Sequence, residues 1–126
     1  MPSKRYFTLE EANEALVELR PLVGQMLEIR QELLDLQPEL EPILQKVLGN
    51  GGGKVATQAV SYFERLEELI GQIQQVGVEL KDINSGLLDF SSLRDGRDVY
   101  LCWRYGENEI LFWHEIDAGF AGRQPL

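Results

Sequence analysis

The sequence predicts an α+β domain: a long, kinked antiparallel helical hairpin of coiled-coil-like character, followed by a small C-terminal antiparallel β-sheet. Three observations carry this. Apolar residues recur at steps of four and three from Ala12 to Val47. The run Gly49-Asn50-Gly51-Gly52-Gly53 then breaks the pattern, and the last third alternates like strands around Tyr105-Gly106-Glu107-Asn108. A chain of 126 residues suits one domain, residues 1–126, with the hairpin over 9–76 and the sheet and tail over 77–126.

Thr8-Leu9-Glu10-Glu11 opens the first helix as a capping box, in which hydroxyl and carboxylate each take a backbone amide of the other residue. The apolar stripe follows as Ala12, Leu16, Leu19, Val23, Met26, Ile29, Leu33, Leu36, Leu40, Ile43 and Val47. Pro21, Pro38 and Pro42 interrupt it, and an interior proline costs about 3 kcal/mol through a lost backbone bond and a clash. Neither a cap nor a glycine precedes Pro21, so a kink is expected there. Asp35 and Pro38 fit the first turn of a new helix, which leaves continuity or a break near residue 36 both open.

The glycine run acts as a connector. A phosphate cradle needs a strand before it and a Lys-Ser or Lys-Thr after it, whereas a helix precedes this one and Val55 follows Lys54. The second helix shows Val55, Ala59, Tyr62, Phe63, Leu66, Leu69, Ile70, Ile73 and Val76 on one face and ends at Gly77. Helices over 9–48 and 54–76 span about 60 and 35 Å at 1.5 Å per residue. The second is thus expected to give out opposite Met26, leaving the stripe from Ala12 to Val23 for the sheet to cover.

Strands are expected at Val78–Asp82, Gly86–Phe90, Asp98–Arg104 and Glu109–Glu115, with a turn at Arg94-Asp95-Gly96-Arg97. Pairing Arg104 with Glu109 sets opposite charges across the last hairpin. That register puts Val99, Leu101, Trp103, Ile110, Phe112 and His114 on one face and Tyr100, Cys102, Leu111 and Trp113 on the other. Both faces are then apolar. One covers the helices, and the other calls for a second protomer, so a homodimer is expected with Tyr100, Leu111 and Trp113 at its interface.

The net charge of −9 argues against nucleic acid, whose phosphates need a basic face. No apolar run reaches membrane-spanning length and no secretory leader stands at the start. The single cysteine, Cys102, excludes an intrachain disulfide. A cytoplasmic protein is expected.

His114-Glu115-Ile116-Asp117 gathers the residues with most chemistry. Strand alternation points His114 and Glu115 to opposite faces. Glu115, Asp117 and Asp98 share a face, and with Glu79, Asp82 or Asp89 they offer oxygen ligands to Mg²⁺, Mn²⁺ or Ca²⁺. The plainer reading is a solvated acidic sheet end. His114, the only histidine, reads either as a hydrogen-bonded core residue or as a general base or metal ligand beside Asp82 or Asp89. A zinc site would need Cys102, which the expected register puts on the opposite face as a buried structural thiol. Gly119-Phe120-Ala121-Gly122-Arg123 is either a tail docked by Phe120 or a nest in which Arg123 meets a carboxylate or phosphate. The candidate ligand or metal residues are therefore Asp82, Asp89, Glu107, His114, Glu115 and Asp117, with Arg123 as anion contact. The cofactor is open; a divalent metal is possible and not favoured.

Several segments carry a family resemblance: Tyr6–Asn13, Val78–Asp82, Gly86–Phe90, Val99–Trp103, Gly106-Glu107, Phe112-Trp113-His114 and Gly119–Pro125. Together they resemble the bacterial family known as domain of unknown function 2203, over essentially the whole chain. The resemblance implies a small cytoplasmic bacterial domain and supplies no activity, substrate or catalytic residue. Its weight falls on the hairpin and tail. The leading expectation is a non-enzymatic, homodimeric interaction or ligand-binding module. The rival is a metal-dependent enzyme or small-molecule sensor with its site on the C-terminal hairpin, and a third reading is an adaptor whose acidic helices meet a basic partner.

Overall fold

A computed structural model describes residues 4–36 and 57–126. Helix α1 (Leu9–Leu36) and helix α2 (Thr57–Gln75) precede strands β1 (Glu79–Asp82), β2 (Leu87–Arg94), β3 (Arg97–Arg104), β4 (Phe112–Glu115) and β5 (Gln124–Pro125). A short 3₁₀ turn at Phe120–Gly122 lies between the last two strands. The strands form one antiparallel sheet in chain order, so the class is α+β, as expected. No described helix is long and apolar enough to cross a membrane. The glycine run, Pro38 and Pro42, and any break beyond Leu36 lie outside the described residues.

The capping box forms as read. The Glu11 amide donates to Thr8 Oγ1 at 3.0 Å and the Thr8 amide donates to Glu11 Oε1 at 2.8 Å. Those bonds, the backbone one first, hold the Glu11 carboxyl below its usual range. Pro21 lies inside α1 without ending it. Ala12, Leu16, Leu19, Val23, Met26 and Leu33 are buried along one stripe, and Ala59, Phe63, Leu66, Leu69, Ile70 and Ile73 of α2 join the same core. Arg65 donates to Gln25 Oε1 at 3.0 Å, and Arg5 Nη1 donates to the Val76 carbonyl at 2.6 Å. Glu18, Pro21, Leu22 and Gln25 face Gln72, Gln75 and Val76 across a cleft. The end of α2 thus lies past Met26, closer to the start of α1 than the length arithmetic gave. That arithmetic took residues 37–48 as helix, and they lie outside the described residues.

The sheet covers the first half of α1. Leu80, Leu88, Phe90, Leu101, Trp103 and Trp113 stand in cross-strand register on one face and are buried. At the seam, Gly86 runs against Val23 and Leu27, and the Ile110 amide donates to Asn13 Oδ1 at 2.8 Å. Arg20 lies over the Trp103 ring and donates to the Asn108 carbonyl at 2.8 Å. Ahead of α1, Phe7 packs edge-on against Phe90 with centroids 5.2 Å apart, and Ser92 Oγ donates to the Phe7 carbonyl.

Two hairpins organise the sheet. Between β2 and β3, Arg94 pairs with Arg97 around Asp95-Gly96, and both turn residues have positive φ, the two-residue turn whose twist suits a hairpin. Strand β2 therefore runs to Arg94, beyond the expected Phe90. The second hairpin departs from expectation by one residue. Val99 pairs with Glu115, Tyr100 with His114, Leu101 with Trp113 and Cys102 with Phe112. The connection spans residues 105–111, where four residues were expected. Inside it, Trp103 Nε1 donates to the Glu107 carbonyl at 2.9 Å and the Arg104 amide to Glu107 Oε1 at 2.7 Å. With the Ile110 amide held by Asn13, the groups needed to extend the ladder are already used. A one-residue slip moves every side chain to the other face. Trp113 therefore faces the helices, while Phe112 and His114 join Tyr100 and Cys102.

Two glycines test this packing. Gly86 has φ +69°, and a Cβ there would lie 2.7 Å from Val23 Cγ1, whereas one at Gly71 would meet open space. Urea unfolding is expected to show Gly86→Ala destabilised by about 1–3 kcal/mol through strain and overpacking. Gly71→Ala, inside α2, is expected to gain about 0.5–1 kcal/mol.

Candidate functional site

The sheet face turned away from the helices is built from Glu79, Asp89, Ser91, Tyr100, Cys102, Phe112 and His114. Strand pairing sets Asp89 opposite Cys102, and His114 opposite Tyr100, one strand pair along. Asp89, Cys102 and His114 are only 3%, 0% and 2% exposed. Their donor atoms all lie within 4.8 Å of one another.

The hydrogen bonds around His114 fix its protons. Nδ1 is 2.7 Å from the Glu115 carbonyl, an obligate acceptor, so Nδ1 carries hydrogen. Nε2 lies 3.0 Å from Asp89 Oδ1, and two lone pairs do not face one another at that distance, so a proton sits between them. Burial, first, and the Asp89 charge push the Cys102 thiol up to about 12, against a smaller opposing pull from Arg123. Burial, then a hydrogen bond to Glu79, pushes the Tyr100 hydroxyl up to about 12.

Basic side chains cover the rim of this face. The Lys4 and Lys81 ammonium groups lie 5.8 and 5.5 Å from the Tyr100 ring centroid. The Arg123 guanidinium lies over Phe112 at 4.0 Å and over Phe120 at 4.7 Å. Its Nη2 donates to both Glu107 carboxylate oxygens at 2.7 Å, with the two side chains 11% and 17% exposed. The same Nη2 lies 3.4 Å from the Cys102 carbonyl. Arg123 Nε is buried with no hydrogen-bond partner among the described residues.

The candidate residues read from the sequence thus separate. Asp89 and His114 come together. Cys102, set aside because the expected register faced it the other way, completes the group. Asp82 instead accepts from the Asn84 amide and Ser85 Oγ in the turn after β1. Glu107 is held by Arg123 and the Arg104 amide, so Arg123 is an ion-pair partner as well as an anion candidate. Glu115 pairs with Arg97 at 2.9 Å, and Asp117 is exposed. Tyr100, Leu111 and Trp113 do not form one surface: Trp113 is in the helix-facing core, Tyr100 is buried on the far face and Leu111 is exposed in the loop. The slipped register is the reason for that correction too.

The family of uncharacterized conserved proteins designated DUF2203 matches residues 5–126, and the chain belongs to it. No curated protein and no solved structure matches the chain.

The burial of Cys102 has a direct chemical consequence. Moving its thiol from 9.0 to about 12 lowers the thiolate fraction at neutral pH on the order of a thousandfold. Iodoacetamide is expected to leave Cys102 unmodified in native protein over times that give full labelling in urea. Rapid native labelling would show the site to be open.

Proposed function

We propose that this chain is a small ligand-binding module of the bacterial cytoplasm, non-enzymatic in its leading reading, whose site is the face of β2, β3 and β4 turned away from the helices. It is read as one domain over residues 1–126, in which α1 and α2 pack antiparallel and carry the sheet. The net charge of −9 keeps nucleic acid out of the reading. One observation carries the proposal: a carboxyl, an imidazole and a thiol are buried together on one sheet face, where a buried pair is weak evidence for a stabilising role. Arg123 Nε, buried and without a hydrogen-bond partner among the described residues, is a further donor near this face.

The alternative is that the group exists only for structure, and stability measurements separate the two. His114→Phe alone strands the Asp89 carboxylate and is expected to cost about 3–5 kcal/mol. Adding Asp89→Leu is expected to restore stability to within about 1 kcal/mol of the parent, because the pair is replaced by apolar volume. A double variant that stays several kcal/mol below the parent in urea unfolding would make the pair a structural element and sink this reading.

Homodimer formation rests on a different surface from the one first expected. Leu93, 55% exposed, lines with Leu9, Trp113 and Leu126 a groove of about 280 Å³ along the sheet end. Self-association through this groove predicts a dimer mass at micromolar concentration in native mass spectrometry, lost in Leu93→Glu. A parent chain that is monomeric under those conditions removes the dimer.

A further inference from the structure

The donor set on the far face is specific in kind. Imidazole nitrogen, carboxylate oxygen and thiol sulfur together suit a borderline or soft cation, whereas Mg²⁺ and Ca²⁺ take oxygen throughout. Among the described residues, the cluster in which three such donors meet is Asp89, Cys102 and His114. The oxygen-only acidic site that the sequence suggested is not assembled, because Asp82, Glu115 and Asp117 are spent on a turn, an ion pair and solvent.

We propose that Asp89, Cys102 and His114 bind a divalent transition metal ion of the zinc class, one ligand from each of three adjacent strands, enclosed within the sheet face. The inference deepens the ligand-binding reading and rests on it. Four observations support it. The ligands stand on β2, β3 and β4, neighbours in a hydrogen-bonded sheet, which holds them better than loops would. His114 Nδ1 donates to the Glu115 carbonyl, the bond that commonly orients a metal-binding histidine and leaves Nε2 as the ligand atom.

Distance and charge agree with this. Zinc bonds of about 2.0–2.3 Å bring tetrahedral ligand atoms to roughly 3.3–3.8 Å of one another. Donors already within 4.8 Å need approach by only about 1 Å, with the ion taking the place between Nε2 and Oδ1. A dication with one thiolate, one carboxylate and a neutral imidazole sums to zero, which a buried site tolerates. The nearby Arg123 charge is neutralised by Glu107 at 2.7 Å and so does not repel the ion.

The test uses the full chain titrated with Zn²⁺ and Co²⁺. The expected result is one ion per chain in native mass spectrometry and a rise in Tm with Zn²⁺ but not with Mg²⁺ or Ca²⁺. With Co²⁺, a near-ultraviolet thiolate-to-metal band is expected, lost in the near-isosteric Cys102→Ser. Asp89→Asn, which preserves side-chain volume, is expected to weaken Zn²⁺ binding by at least roughly tenfold, as does His114→Ala. Absence of 1:1 uptake by the parent chain overturns the metal assignment, and so does a charge-transfer band that survives Cys102→Ser. If the parent takes no metal but holds an organic species that Asp89→Asn releases, the metal falls and the ligand-binding reading stands. If it holds neither and the paired apolar substitution is destabilising, both fall.

Discussion

Everything distinctive in this molecule depends on the register between β3 and β4. The sheet has one face packed on α1 and one turned away, so the pairing of Leu101 with Trp113 decides which half of β4 becomes core. The helix-facing layer holds Leu88, Phe90, Leu101, Trp103 and Trp113, all buried. Burying an apolar side chain contributes about 1.5–3 kcal/mol, so a slip that exposed Trp113 would forfeit about one such contribution and bring the polar His114 into an apolar layer. Three hydrogen bonds guard the register: Trp103 Nε1 and the Arg104 amide to Glu107, and the Ile110 amide to Asn13. The last ties the loop to α1. Helix and sheet therefore define one another's alignment.

The far face inherits the consequence. The same pairing that buries Trp113 sends His114 across to Asp89 and Cys102. Burying a carboxyl and an imidazole is tolerable because they share a proton and the remaining imidazole hydrogen goes to the Glu115 carbonyl. The pair satisfies itself, and apolar replacement of a buried pair is often neutral or stabilising. Strand alternation gathers these polar side chains on β2, β3 and β4 rather than on the helices.

The sequence made the helices readable because their signals are local. The Thr8–Glu11 box, the stripe from Ala12 to Leu33 and the α2 face repeat at helical spacing and form as read. Asp95-Gly96 was equally local, and its two positive-φ residues form the tighter hairpin. The second hairpin was misread by one residue because its determinants are not local. Asn13 and Ile110 are separated by 97 positions, and Glu107 is fixed from the tail by Arg123. Opposite charges at Arg104 and Glu109 are a weak guide beside them. That one residue set Cys102 on the face opposite His114, set Trp113 on the same face as Tyr100 and made both sheet faces look apolar. Asp89 and His114 were paired as candidates by their chemistry rather than by register, and they meet at 3.0 Å.

Charge distribution completes the argument for the far face. The chain is strongly acidic, with 21 acidic against 12 basic residues, and an anion approaching at random meets repulsion. Around this face the balance differs locally. Lys4 and Lys81 lie over Tyr100, Arg123 over Phe112 and Arg104 over Phe120, so the aromatic rings hold cations at the rim of the buried group. Of these, Arg123 is matched by Glu107 and Lys81 by Glu79 at 3.4 Å. Lys4 and Arg104 make no ion pair among the described residues, while Glu79, Asp89 and Asp98 set negative charge against the Tyr100 hydroxyl. The face is therefore one of mixed charge, in which Glu79, Asp89 and Glu107 each have a basic partner in Lys81, His114 and Arg123.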